Sequence, residues 1–378
     1  MNTPICSMPW HAFYLKAAGE IHPCCHIKEP EGTKYTIQKD GLEAYEKSNF
    51  ITDLKESLLA GNMHPSMCRV CIDQERSSIK SMRELEMEQL EQCYPEWTIN
   101  DGYVKAQFIF DNSCNLKCIM CDSLYSSKWR QEYKDVYGID NKPSKVDNSI
   151  IKDFFDKHYK SLRHIQISGG ETFMGPLGRD SAFLDSIIKT GAQTKIDLFI
   201  ETNGTLYPDQ EIINKLLEFR SVKFNLSIDA TGARGEYIRF PSVWDEHKQV
   251  IHQIKQLAES HHSFSLGIMH TLNIFNILYL PDFIKYARTL DKNPHIHIVH
   301  GPKHFSPHAL TDALREKIGK ILLKGKDLEC LRWGKYLLES KYNGAWKDFL
   351  LYRDKHDLYR GTNFTKTFPE LEELINGV

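Results

Sequence analysis

From residue 103 to residue 300 the chain alternates short β-branched and aromatic runs with longer amphipathic stretches, and this rhythm limits the fold more than any other feature. Six runs read as strands: YVKAQFIF (103–110), RHIQIS (163–168), KIDLFIE (195–201), VKFNLSID (222–229), SFSLGIMHT (263–271) and HIHIVH (295–300). Between them lie stretches of helical period: DNSIIKDFFDKHYKSL, with Asp147 or Asn148 as its N-cap, PDQEIINKLLEFR, WDEHKQVIHQIKQLAES and PDFIKYARTL. Strands joined by right-handed helical crossovers predict an α/β fold with a parallel sheet, as an open doubly wound sheet or as a complete or partial barrel. In all of these, ligands gather beyond the C-terminal strand ends. Four runs end there in polar or glycine-containing segments, DNSC, GGET, TNGT and ATGARGEYIR, so chemistry is expected at that end. Residues 1–100 lack the rhythm, and residues 301–378 return to charged helical segments such as DALREKIGKILLKG.

Composition narrows the function classes. With 378 residues, 41% of them hydrophobic, the chain buries a sizeable core and has room for two or three domains. Forty-eight basic against 50 acidic residues leave a net charge of -2, so no global field recruits nucleic acid or an anionic membrane, and neither is expected as a partner. MNTPICSMPW has no signal-peptide pattern and no later run is long enough to span a bilayer, which predicts a cytoplasmic protein. Ten cysteines in such a chain argue for thiolate ligands or catalytic thiols over a disulfide framework.

The stretch CNLKCIMC spaces Cys114, Cys118 and Cys121 by four and three positions. On a helix these offsets would form one apolar stripe. The segment follows a strand end through Asp111, Asn112 and Ser113, where a loop is expected instead. A zinc site would need a fourth ligand from elsewhere, whereas an iron–sulfur cluster accepts three protein ligands when a small molecule takes the last iron. CNLKCIMC resembles the CxxxCxxC signature of the radical S-adenosylmethionine (SAM) superfamily, and the other strand ends resemble it too.

That resemblance covers about residues 103–300 and implies a partial (β/α)6 barrel, a [4Fe–4S] cluster on Cys114, Cys118 and Cys121, and bound S-adenosylmethionine. It implies that Gly169, Gly170 and Glu171 hold the methionine amine, since two glycines admit close backbone approach and a carboxylate pairs with an ammonium. SIDATGARGEYIRF resembles the fourth-strand region of members with auxiliary clusters, which maps a ribose contact onto Ser227 and a methionine-carboxylate contact onto Arg239, with Asp229 and Arg234 as competitors. Asn203 and Asn276 fall where polar cosubstrate contacts occur, or form turns. Met120 stands where many members carry an aromatic residue beside the adenine.

Cys6, twelve residues, Gly19, four residues and Cys24 resemble the opening of SPASM and twitch auxiliary-cluster domains, and MCRVC adds Cys68 and Cys71. Together these four imply a second, fully ligated [4Fe–4S] cluster, in a module that precedes the radical domain instead of following it. Cys25 competes with Cys24, and a four-thiolate zinc site is the other reading. The domain expectation is therefore 1–100 auxiliary domain, 101–300 radical SAM barrel and 301–378 helical extension.

The implied chemistry is one-electron cleavage of S-adenosylmethionine to a 5′-deoxyadenosyl radical that abstracts a hydrogen atom from a peptide or small polar metabolite. The auxiliary cluster would assist electron transfer in an oxidation, crosslink or epimerisation, with a flavodoxin or ferredoxin as donor. Since Cys6 lies so near the first residue, no leader-peptide-recognition domain is expected before it, which disfavours a self-contained maturase. Cys330 is a candidate hydrogen-atom donor, and His270, His297 and His300 are candidate proton-transfer groups. A zinc-stabilised binding or regulatory protein without catalysis is the alternative from another class.

Overall fold

The computed structural model describes residues 4–16, 18–27, 34–76, 80–141, 146, 148–179, 181–299 and 301–377. Asp147 and His300 lie outside them. Eight strands form one sheet: β1 (Ala12–Leu15), β2 (Ile21–His22), β3 (Lys105–Ile109), β4 (His164–Ser168), β5 (Asp197–Thr202), β6 (Ser221–Ser227), β7 (Phe264–Leu272) and β8 (His295–Ile298). Their order is β2-β1-β3-β4-β5-β6-β7-β8, an open sheet. The six expected strands are β3 to β8, each followed by helical segments, and the C-terminal region is helical, so the α/β class with a partial, unclosed barrel order holds.

The N-terminal region, which lacks the rhythm, nonetheless adds two strands. β1 pairs in parallel with β3, Phe13 opposite Ala106 and Leu15 opposite Phe108, and antiparallel with β2. A four-residue strand is too short to show a period, and its partner lies far along the chain. β3 with β4, β4 with β5, and β7 with β8 are parallel, and Ile109 opposite Ser168 brings the loops after β3 and β4 off the same sheet end.

Two compact units make up the chain. One comprises Met1–Asn112, Pro143–Ile200 and Pro208–Val222; the other Ser113–Lys142, Glu201–Tyr207 and Lys223–Val378. The first is centred on Phe13, Phe108, Phe154, Phe155 and Phe183, with Phe13 stacked on Phe154 at 4.2 Å. In the second, Phe275 is ringed by Phe305, Phe349, Phe364 and Phe368, which fastens the C-terminal helices to the turn after β7. Helix starts follow local signals: Ser48, Asp209 and Thr311 accept from amides three residues on, and Ser81 with Glu84 forms a capping box. Among the described residues no helix is long and apolar enough to cross a membrane.

Candidate active site and metal centres

The three-cysteine stretch is a loop, so the helical-stripe reading fails. Two backbone rungs fix it, Lys117 N to Phe240 O at 2.7 Å and Ile119 N to Ile238 O at 2.9 Å. Side chains from the following turn hold its carbonyls: Ser126 Oγ donates to Leu116 O and Trp129 Nε1 to Cys118 O, at 2.5 and 3.0 Å. Cys114 and Cys118 are buried around Leu116, with Met120 and Cys121 packed on them. Met120 therefore does sit beside the thiols. Burial pushes the Cys118 thiol up to about 12 and Cys121 higher still, so an apolar pocket holds these thiols protonated until a cation takes them.

Arg239, which caps the helix Gly232–Ile238, is the charge that faces this loop. Its Nη1 donates to Cys118 Sγ at 3.7 Å and its Nη2 lies 2.6 Å from Asp229 Oδ2. Both side chains are buried, and among the described residues the alignment of the ion pair leaves Arg239 Nε and Asp229 Oδ2 without a hydrogen bond. Burial opposes the guanidinium charge, but Asp229 and the neighbouring thiols outweigh it and raise the pKa. Asp229 Oδ1 is occupied by Thr271 N at 2.8 Å. Arg234, the competitor, stacks instead on Tyr279, 4.1 Å from the ring centre.

The other expected cosubstrate residues divide. Asn203 Nδ2 reaches Asn115 Oδ1 at 2.9 Å and Cys114 Sγ at 3.9 Å, so it belongs with the loop. Ser227 ends β6, half-buried. Asn276 spends its amide on the backbone, donating to Asp229 O and Thr271 O at 3.0 Å and accepting from Asn273 N at 2.7 Å; it is a buckle for the turn after β7. In the other unit, Gly169 and Gly170 have φ of +86° and +54°, which glycine alone adopts freely, and a Cβ on Gly169 would lie 2.2 Å from Ile109 Cγ2. Glu171 is buried and accepts from Phe173 N at 3.1 Å.

In that same unit Cys6, Cys24, Cys68 and Cys71 line one pocket with Met8, His26, Met63, Met67, Met82 and Arg83. Cys25 is not among them. Cys68 precedes and Cys71 lies on the helix Arg69–Arg76. Burial raises Cys6 to about 12 and Cys24 well above its ordinary value. Arg83 crosslinks the pocket: Nη1 donates to Ile5 O at 2.9 Å, and Nε and Nη2 donate to Glu75 at 2.8 and 2.9 Å. Among the described residues no three Cys, His, Asp or Glu side chains are grouped to hold a single metal ion.

Residues 108–287 match the sequence model of the Radical SAM superfamily. No curated protein matches the chain by sequence. Among solved structures, native anSMEcpe with bound AdoMet aligns at 15% identity over 68% of each chain with TM-score 0.44. The same enzyme with AdoMet and the Kp18Cys peptide aligns at 17% over 68% of this chain and 67% of that one, TM-score 0.44. Streptococcus suis SuiB bound to its precursor peptide SuiA aligns at 15% over 95% of this chain and 73% of that one, TM-score 0.37.

Sequence reasoning missed what holds the three-cysteine loop from outside. Glu132, buried on the helix Trp129–Tyr137, lies 2.6 Å from Lys117 Nζ and 2.8 Å from Arg360 Nε, and accepts from His356 Nδ1. Burial alone would push its carboxyl up; His356, Arg360 and Lys117 outweigh that and hold it at about 2. Burial lowers the His356 pKa, so a neutral ring donates from Nδ1 and leaves Nε2 to accept from Tyr137 OH at 2.7 Å. Arg360 also lies over Trp129, 4.5 Å from its centre. His356 and Arg360 come from the helix Trp346–Arg360, more than two hundred residues after Glu132, and no local pattern marks that pairing.

Other candidates lie away from the loop. His270 is buried on the packed side of β7, stacked on Phe283 at 4.0 Å, with its pKa lowered to about 4 by burial, so it does not face an interior cavity as expected of a proton-transfer group. Cys330 is buried on the helix Leu328–Glu339, where burial raises its thiol to about 11.

Proposed function

We propose that this protein is a radical SAM enzyme that reductively cleaves S-adenosylmethionine and abstracts a hydrogen atom from a peptide or small polar metabolite, assisted by an auxiliary [4Fe–4S] cluster. The observation that carries the reading is the pairing of two buried thiols, Cys114 and Cys118, and the half-buried Cys121 packed on them with a buried arginine that, among the described residues, has a hydrogen-bond donor to spare. Cys114, Cys118 and Cys121 would hold a cluster with one iron left for the cosubstrate, and the cluster with S-adenosylmethionine supplies one-electron reduction and a carbon-centred radical.

Arg239 is positioned to take the methionine carboxylate on its free Nε while Asp229 neutralises the remaining charge. Gly169, Gly170 and Glu171 are the candidates for the amine, and Ser227 for the ribose. Asn203 orders the loop through Asn115, and Asn276 holds the Asp229 carbonyl, so both act by positioning. The four-thiol pocket is walled largely by thioethers, with His26 and Arg83 beside them and no carboxylate among the described lining residues, a predominantly soft donor set that suits an iron–sulfur cluster. With all its irons ligated by protein, that cluster would pass electrons. A cytoplasmic setting with a flavodoxin or ferredoxin donor completes the reading.

Anaerobic reconstitution tests it. About eight irons per chain and 5′-deoxyadenosine formation from S-adenosylmethionine under dithionite are the expected results. Colourless protein with stoichiometric zinc would replace it with the non-catalytic alternative. Turnover unchanged in Cys330→Ala would remove that thiol as hydrogen-atom donor.

A further inference from the structure

Along β6 the apolar Val222, Phe224 and Leu226 are buried, while Lys223, Asn225 and Ser227 share the opposite face. Glu201 of β5, Thr271 of β7 and His295 and His297 of β8 fall on that face by the same alternation. The interior of a parallel barrel is ordinarily filled by branched apolar side chains. A face this polar is built to meet something polar.

Most of its groups are engaged. Asn225 Nδ2 donates to Glu201 Oε1 at 2.7 Å, and Thr271 Oγ1 lies 3.1 Å from His297 Nε2. Lys223 is not: among the described residues its ammonium has neither an acceptor nor an ion-pair partner. Gly267 on β7 accounts for where it lies. A Cβ there would stand 2.6 Å from Lys223 Cε and 2.8 Å from Asn225 Oδ1, so only bare backbone lets the lysine cross β7 towards β8. The half-buried charge is close enough to His295 to help Arg332 and burial depress that ring's pKa, which leaves the imidazole neutral and Lys223 the cation of the group.

We propose that this polar face seats the substrate and that Lys223 binds an anionic oxygen group on it, a carboxylate or a phosphate. The proposal rests on the radical SAM reading and adds the substrate's charge to it. Lys223 lies four residues before Ser227 on β6, roughly 13 Å of strand, so the anion orients the substrate and stays clear of the reacting carbon.

The test is lysine acetylation footprinting by mass spectrometry on the reconstituted holoenzyme, with inorganic phosphate, succinate or methylammonium chloride at matched ionic strength. An anion present at about four times its dissociation constant should slow labelling of Lys223 about fivefold while exposed Lys248 is unaffected. Protection by phosphate alone identifies a phosphorylated substrate, and protection by succinate alone a carboxylated one. The protecting anion should raise the melting temperature of wild type and of Lys223→Arg, but not of Lys223→Gln. Equal labelling of Lys223 under all three conditions, or equal protection of Lys248, would overturn the site. Iron content and 5′-deoxyadenosine formation from the same preparation report on the enzyme reading separately, so an active enzyme without protection sinks the Lys223 site alone.

Discussion

The two cysteine groups are built on opposite plans. Around Cys114, Cys118 and Cys121 the buried arginine is underused: Arg239 pairs with Asp229 and keeps an idle Nε beside the thiols. Around Cys6, Cys24, Cys68 and Cys71 every nitrogen of the arginine is engaged: Arg83 donates to Glu75 from Nε and Nη2 and to the carbonyl of Ile5 from Nη1. On the proposed function, three thiols with a spare donor would leave a place for a small molecule, and four thiols beside an arginine engaged at every nitrogen would close the site upon itself. The count of ligands and the state of the arginine point the same way in each group, although they are independent features of the sequence.

The largest effect that would break this contrast comes from the thiols themselves. Cys118→Ala should lose about four of about eight irons and bring 5′-deoxyadenosine formation to background, whereas Cys71→Ala should lose as much iron and still form 5′-deoxyadenosine. Equal loss of cleavage in both would mean that the groups are not functionally distinct.

Next is Arg239→Ala, which strands the Asp229 carboxylate in the interior. Denaturant unfolding of the apoprotein should show a loss of about 3–5 kcal/mol, and an unchanged midpoint would show that Asp229 does not depend on the pair.

Glu132→Gln should cost about 3 kcal/mol, because Lys117 and Arg360 then lack their carboxylate. Its pH dependence has a definite sign. A carboxyl held at about 2 against an ordinary 4.5 stabilises the fold above pH 4.5, and that contribution is lost as pH falls towards 2. His356, depressed below 6.5, acts in the same sense, its contribution being lost as pH falls below 6.5. Acid unfolding of Glu132→Gln should therefore be flatter than wild type between pH 4.5 and 2.

The smallest effect is expected from Arg83→Gln, about 1–2 kcal/mol, since this arginine keeps some solvent contact. In the apoprotein, iodoacetamide should alkylate Cys6 faster in the variant while Cys114 is unchanged. Parallel acceleration at both thiols would refute the separate bracing of the two groups.

Much of this was legible in advance. The strands β3 to β8 announce themselves through runs of β-branched and aromatic residues, and the three-cysteine loop and Gly169-Gly170 are contiguous motifs whose chemistry depends on neighbours in sequence. His270 was misjudged because period two assigns it a face without saying which face the helices cover. Asn276 was open to two readings, cosubstrate contact or turn former, and its amide holds the turn after β7 through three hydrogen bonds that no spacing reveals.

The sequence by itself determined the order of strands and helices, the two groups of thiols and the open count of three against four, since all of these follow from local pattern. Only the tertiary structure put Cys24 and not Cys25 in the four-thiol pocket, turned Arg239 to the cysteine loop and Arg234 onto Tyr279, and showed which arginine has a donor to spare among the described residues. It alone placed Lys223 over Gly267 and brought Arg360 and His356 to Glu132. Those outcomes depend on which side chains a buried charge meets after the chain has folded, and residues hundreds of positions apart share no local signal that could announce the meeting.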